Sequence, residues 1–418
     1  MKLNRNIVGW MFYDFANSSF TTIIVTVVYS AYFIKQVVNG ASGYGEMLWG
    51  RAVALSMTLV AISAPIFGAV ADYSRSKKKF LFINCYLTVI FTALLYFVGK
   101  GDVTLGIVFF VIANFGFNSA NVFYDAFLPE ITSRETMGRI SGYGWAFGYA
   151  GGLLALLISL PLVKTDIRLV FPMVAVFFFL FSLVTAFWLK EFHRPSQRTN
   201  YLKTALYRIS YSFNHIRKIP ELLKYLLSYF IYNDGITTVI VFASVYGITR
   251  FGMTTQNMIT YFIIAQITSI LGAAVFGYWT DKIGVKPTLN ISLFIWLAVV
   301  IWAFFCRSAK EYYFVGMLAG LAIGSSQANS RTLLAMLTPQ NKRAEFFGFY
   351  TLTGRLSSII GPLVYGEIAR RTGSPRWAIL SLIIFFALGL ILLQTVNVKK
   401  GIQESLSLSA NAEGGSNV

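Results

Sequence analysis

The chain has 418 residues, of which 56% are hydrophobic and only 12% charged, with 38 Phe and 23 Tyr; a soluble domain carries about twice that charge, so a water-soluble globular fold is excluded. Its 35 Lys and Arg outweigh 17 Asp and Glu, for a net charge of +18, but the basic residues sit in short loops between apolar stretches. The excess therefore reads as membrane topology and not as a nucleic-acid footprint.

A membrane-crossing helix needs about 20 largely apolar residues. About twelve such stretches follow one another, near 8–34, 47–71, 80–99, 103–127, 137–161, 169–190, 222–249, 257–280, 286–306, 311–336, 344–368 and 377–396. Six fall in each half, so the expected fold is an all-α integral membrane protein of twelve transmembrane helices in two pseudo-symmetric six-helix bundles. The expected units are an N-terminal bundle over 1–190, a cytoplasmic amphipathic linker over 191–221, a C-terminal bundle over 222–396 and a disordered tail over 397–418, rich in Ser, Ala, Gly and Asn. Sorting the loops alternately collects Arg75, Lys77, Lys78, Lys79, Arg134, Arg139, Lys282, Lys286, Lys342 and Arg343 on one side. By the positive-inside rule that side is the cytoplasm, with both termini inside.

The first span follows Lys2 and Arg5 and opens with Tyr13-Asp14-Phe15-Ala16-Asn17-Ser18-Ser19. It is too long and too polar for a signal peptide, so no cleavable leader is expected. Asp14, Ser18 and Thr21 share one helical face with Asn17 beside it. A charge at the bilayer centre costs about 3 kcal/mol on insertion scales, which makes Asp14 a functional candidate; the alternative is an interfacial carboxylate favoured by the helix dipole. On the fourth span Asn114, Asn118, Asn121 and Asp125 fall within an arc of about 60°. Such a stripe cannot face lipid: it either lines a wet cavity or bonds to a neighbouring helix. On the fifth span Gly144, Gly148 and Gly152, with Gly354 and Gly361 on the eleventh, read as points of close helix packing rather than ligand contacts.

Residues 199–217 place Leu202, Leu206, Ile209, Phe213 and Ile216 at helical spacing among Lys203, Arg208 and Arg217. They form either a basic amphipathic helix on the leaflet or a plain tether. Both histidines, His193 and His215, lie in this linker, leaving no histidine in the spans for metal or acid–base chemistry; no metal and no membrane-enzyme activity is expected. Pro220 stands where it can open the seventh span, which carries Asn233 and Asp234 in a cluster like that of the first. Gln327 and Arg331 lie on the tenth span and Arg355 on the eleventh. Each arginine is either a cavity cation or a structural partner, Arg331 as a gate residue pairing with Glu130 or Asp125. Cys85 and Cys306 lie within spans, so no disulfide framework is expected.

The halves repeat one another. Phe67-Gly68 and Asp72, followed by a basic turn, return 209 residues later as Phe276-Gly277 and Asp281; Pro129, Glu135, Gly138 and Gly151 return at 210 as Pro339, Glu345, Gly348 and Gly361. Duplicated halves in a membrane protein point to a transporter. The offset of 210 maps the stripe of span four onto Gly324, Ala328, Arg331 and Ala335 of span ten. Facing one another, those spans set a cation against a carboxylate and amides, walls suited to a small zwitterion.

The segment Gly277-Tyr278-Trp279-Thr280-Asp281-Lys282-Ile283-Gly284-Val285-Lys286 matches the loop signature of the major facilitator superfamily, and Gly68 to Lys79 carries a divergent copy with Tyr73 and Arg75 at positions where a basic residue and glycine are usual. The whole chain resembles that superfamily. The strings Trp10 to Phe20, Asn121 to Glu130 and Tyr232 to Gly235 resemble its autophagy-related, vacuole-effluxer-like group of amino acid exporters. The resemblance implies alternating access between two rocking bundles, a monomer, a conformational latch at Gly68, Asp72, Gly277 and Asp281 with Glu130 nearby, and efflux of small amino acids.

The expectation is a secondary transporter of a small polar or zwitterionic solute, without cofactor, in a bacterial inner membrane. No GxxxxGK[ST] loop is present, so energy must come from a gradient. Proton coupling requires a carboxylate that alternates between an apolar setting and a cationic partner. Asp14, Asp125 and Asp234 are the candidates, with Arg331 and Arg355 as counter-ions. The alternatives are transport of a peptide, sugar, metabolite or drug, or lysolipid flipping.

Overall fold

The computed structural model describes residues 4–40, 43–73, 76–132, 137–191, 219–338, 350 and 352–414. Among them there is helix and no strand. The N-terminal half comprises α1 (Arg5–Ser19), α2 (Tyr44–Tyr73), α3 (Lys77–Leu94), α4 (Val103–Asp125), α5 (Met137–Thr165) and α6 (Val170–Trp188). The first of these continues through π-helical turns at Phe20–Val27 and Phe33–Val38, so one apolar run spans Arg5–Val38. The C-terminal half comprises α7 (Pro220–Phe251), α8 (Thr255–Ile283), α9 (Val285–Phe305), α10 (Ala309–Leu337), α11 (Ile360–Thr372) and α12, which covers Pro375–Gln394 with a break at Leu382.

Local chemistry sets the ends of these helices. Asn4 caps α1 by accepting from the Ile7 amide at 2.9 Å, and Thr254 and Ser308 cap α8 and α10 in the same way. Pro220 opens α7, as expected. Gly252 and Gly373 end α7 and α11 in the left-handed conformation, at φ 65° and 63°.

Ten helices among the described residues are long and apolar enough to cross a membrane. The tenth expected span is α10, whose 29 residues are long enough but are diluted by polar side chains. The eleventh, expected over 344–368, lies partly outside the described residues, as does most of the linker. One expectation needs correction: the tail was expected to be disordered, yet Val398–Gly414 forms a helix, α13. It docks where Gly401 meets Leu337 and Glu221, and the buried Glu221 carboxylate accepts from the Asn397 amide at 2.7 Å.

Packing follows the duplication. The first helix lies against α5 and α6, and α7 against α11 and α12; α4 packs on α2 and α3, and α10 on α8 and α9. The halves meet along α2–α11 and α5–α8, which are equivalent pairs under the repeat. The α2–α11 seam closes the side of the bundle away from the N-terminus. There Gly50 abuts the Pro362 carbonyl, and a methyl group on Gly366 would lie 2.9 Å from the Met47 Cα. The Ser244 hydroxyl of α7 donates to the Val27 carbonyl at 2.7 Å, joining the halves at the first π-helical turn.

The basic face is organised by contacts of half-buried lysines. Lys78, at the start of α3, donates to the carbonyls of Ala186 and Leu189 at 2.6 and 2.7 Å, where α6 ends. Lys286, at the start of α9, donates to the carbonyls of Gln394 and Val396 at 3.0 and 2.8 Å, where α12 ends. Both lysines supply donors to terminal carbonyls that helix geometry leaves unpaired.

Candidate functional site

The glycines of α5 determine how near α1 can come. A methyl group at Gly144 would lie 2.6 Å from the Trp10 ring, and one at Gly148 would lie 2.9 Å from the Ser18 hydroxyl and 3.1 Å from the Asp14 carboxylate. Close packing, expected from their spacing, thus places Asp14 and Ser18 directly against α5. Beneath them Trp10 stacks on Tyr124 at 4.5 Å and donates to its carbonyl at 3.1 Å, while Tyr13 stacks on the same Tyr124 ring at 4.9 Å. These contacts fix the end of α4 that carries Asp125.

The stripe on α4 divides between the two roles open to it. Asn114 is buried and donates to the Ser56 hydroxyl of α2 at 2.6 Å, and Asn118 turns back onto Asn114 at 2.9 Å. These two bind the helices of one half together. Asn121 accepts from the Asn17 amide of α1 at 3.1 Å. Asp125 reaches across to the other half, where Arg355 lies 3.4 Å away; its side chain is 50% exposed and that of Arg355 only 11%.

Arg331 takes a different partner from those expected. Its guanidinium lies 4.5 Å over the Trp145 ring of α5, a cation–π contact between the halves. Glu130 is held by Lys77 at 2.7 Å within its own half, so an Arg331–Glu130 pair is absent from this arrangement. Arg331 nevertheless acts electrostatically on both Asp14 and Asp125. A turn earlier on α10, Gln327 accepts from the Tyr149 hydroxyl of α5 at 3.2 Å.

On α7 the structure places Asn233 against the Ser357 hydroxyl at 2.7 Å. Asp234 is buried, with both carboxylate oxygens 2.9 Å from the Gly361 amide. It therefore caps the start of α11 rather than joining Asp14 and Asp125. Gly68, Asp72 and Asp281 lie in α2 and α8, with the surroundings of their side chains outside the described residues; Gly277 has open space about its Cα.

Asp14, Asp125, Arg331 and Arg355 are thus brought together, two from each half, with Asn17, Ser18, Asn121 and Gln327 around them. Sequence reasoning missed Trp145, Tyr149 and Lys77. The signal for the first two was a pair of aromatics at i, i+4 on the helix whose other face carries the glycines; Lys77 was read only as a topology charge. No group of acidic, histidine or cysteine side chains that could hold a metal occurs among the described residues.

Comparison with known proteins agrees with this architecture. The family model described as vacuole effluxer Atg22 like matches residues 51–406. The MFS-type transporter YxiO of Bacillus subtilis is 30% identical over 402 residues, covering 93% of this chain and 94% of the relative. Autophagy-related protein 22 of Kluyveromyces lactis is 27% identical over 297 residues, 65% of this chain and 60% of that longer relative. Among solved structures, the nucleoside transporter NupG superposes with a TM-score of 0.70 at 14% identity, over 94% of this chain and 99% of its own. A D-xylose–proton symporter superposes with a TM-score of 0.67 at 14% identity, over 95% and 98%. At these identities the structural likeness is one of fold.

Proposed function

The chain belongs to the vacuole effluxer Atg22-like family and is a membrane transporter of the major facilitator type, not an enzyme; from that premise we propose that it exports small zwitterions of the amino acid class by proton-coupled alternating access. The observation that carries this reading is the ion pair between Asp125 and Arg355, 3.4 Å apart and contributed by opposite halves. A pair of that kind must break whenever the halves separate on its side. Its partners in charge, Asp14 and Arg331, also come from opposite halves. A zwitterion entering between them offers a carboxylate to Arg331 and an ammonium to Asp14, and so replaces one internal attraction by two external ones.

Coupling follows from the same charges. A carboxylate that alternates between an arginine partner and an apolar surrounding takes up and releases a proton. Asp14 suits that part better than Asp125 or Asp234: no hydrogen bond joins its carboxylate to another described residue, whereas Asp125 is paired and Asp234 is a cap. Basic loops put both termini in the cytoplasm of a bacterial inner membrane, with the chain acting as a monomer and the glycine–aspartate loops Gly68, Asp72, Gly277 and Asp281 latching the halves near Glu130.

Counterflow in proteoliposomes tests the proposal. Vesicles are loaded with unlabelled amino acids, each labelled one is added outside, and wild type is compared with Asp125→Asn. Accumulation of one or a few labels that the variant loses supports it. Absence of any accumulation with folded protein overturns the amino acid assignment and turns the search to other metabolites, peptides and lysolipids.

A further inference from the structure

Among the buried polar atoms without a partner is the side-chain oxygen of a glutamine between the halves, Gln266. Gln266 lies midway along α8, on the α5–α8 seam between the halves. Its Oε1 atom is buried and accepts no hydrogen bond, and its Nε2 atom donates none to any described residue. A buried amide oxygen without a partner is unusual in a folded protein, where almost every such group is paired. In a membrane interior no bulk water stands by to pair it.

Gln266 is packed close to α5 at the seam between the halves. Across from it α5 has Gly152, and a methyl group there would lie 3.3 Å from Gln266 Nε2 and 2.8 Å from the Thr22 hydroxyl of α1. The missing side chain at this position is what lets Thr22 and Gln266 come this close to α5. Gly148, one turn nearer the basic face, admits Asp14 and Ser18 to the same closeness. Tyr149 closes the side toward α10 through its bond to Gln327. Asp14 and Gln266 thus address two glycines four residues apart on one helix, a separation of about 6 Å along its axis.

We infer that Gln266 is a specificity-determining contact of the transport site, taking the hydroxyl or amide group at the far end of a zwitterion whose ammonium is held at Asp14. The inference rests on the amino acid reading given above and adds the side-chain class. An amide can donate and accept at once, and so can a hydroxyl or another amide. A purely apolar side chain would leave Gln266 Oε1 unsatisfied, whereas a hydroxyl or amide satisfies it. Sites built to hydrogen-bond a substrate group discriminate strongly against analogues that lack it. About 6 Å also matches the reach of a side chain a few heavy atoms long.

The test is direct binding to purified full-length protein of radiolabelled glutamine, serine, tyrosine and leucine, for wild type, Gln266→Met and Gln266→Asn. Methionine preserves the length and bulk of the side chain while removing both hydrogen-bonding groups, and thermal unfolding in detergent confirms that each variant is folded. The expected result is that wild type prefers at least one of the hydroxyl- or amide-bearing solutes over leucine. Gln266→Met should weaken that solute about tenfold and leave leucine within about twofold, and Gln266→Asn should recover part of the loss. Equal weakening of all solutes, no weakening of any, or a wild type that binds leucine best overturns the role of Gln266 while leaving amino acid transport intact. If wild type binds none of the four and shows no counterflow with any amino acid, the parent reading has failed and this inference falls with it.

Discussion

Asp234 of α7 closes onto the backbone of α11, with both carboxylate oxygens 2.9 Å from the amide nitrogen of Gly361. The helix before this point is broken by the turn at Ser357 and Ser358, so the amide has no partner within its own helix. A carboxylate at a helix start satisfies that donor and complements the helix dipole. Asp234→Ala should therefore destabilise the protein by about 1–2 kcal/mol, seen as a lower Tm in detergent, with Asp234→Asn closer to wild type. If Asp234→Asn unfolds normally yet loses all proton drive, Asp234 belongs to the coupling machinery instead.

The contrast between Asp234 and Asp14 leads to a second prediction. Asp14 faces Gly148 and feels the charges of Asp125 and Arg331 without a hydrogen bond to fix it. Asp14→Asn should retain counterflow exchange, which needs no net proton movement, but with weaker solute binding, because a neutral amide holds the ammonium less strongly than a carboxylate. It should abolish the response to an imposed pH gradient, which in wild type raises accumulation and is removed by a protonophore. Flux in Asp14→Asn that still follows the pH gradient would exclude Asp14 as the proton carrier.

Why one aspartate was readable and the other was not is a matter of range. The stripe of span four could be seen because it depends on helical spacing alone, and Asp125 indeed lies on the face that leaves its own half. Arg355 was named as a counter-ion, but which aspartate it meets could not be seen, since the two residues stand 230 positions apart and meet only through the setting of the two bundles. Arg331 was recognised as a cation of the site, but its contact with Trp145 depends on the α5–α10 approach that no local pattern encodes. Asp234 misled for the opposite reason: the break in span eleven that creates a need for a cap is too weakly marked in an apolar sequence. The tail erred in the same way, because its polar composition suggested disorder while a buried Glu221 anchors its first turn.

Lys78 and Lys286 provide a third prediction. Each reaches from the start of one helix to the terminal carbonyls of another, and each makes paired contacts between 2.6 and 3.0 Å. Their matching places, at the start of the third helix of each half, imply that they secure the last helix of each bundle by the same means. Lys78→Met and Lys286→Met should each cost about 1 kcal/mol, with the double variant close to the sum because the two sites lie in different halves and share no partner. A thermal-unfolding series of the four proteins measures this. A double variant no less stable than either single one would show that these lysines serve topology alone.

The seam between α2 and α11 gives the last prediction, since it is where the backbones of the two halves touch. Gly50 faces the Pro362 carbonyl with no room for a side chain, and nearby Ser244 is fully buried while bound to the Val27 carbonyl. A leucine at Gly50 must push the helices apart, at a cost of about 1–3 kcal/mol for overpacking. In an alternating-access carrier that cost falls on the conformation closed at this face and not on the one open there, so the population shifts toward opening. A reporter cysteine at Ser244 reads the shift, because the native Cys85 and Cys306 are 0% and 1% exposed and contribute little background. In the Ser244→Cys background, Gly50→Leu should raise labelling by a membrane-impermeant thiol reagent several-fold, with Gly50→Ala intermediate. Labelling that stays at the background level while the Tm falls would mean that the seam is static packing, and the gate would have to be sought elsewhere along α1 and α7.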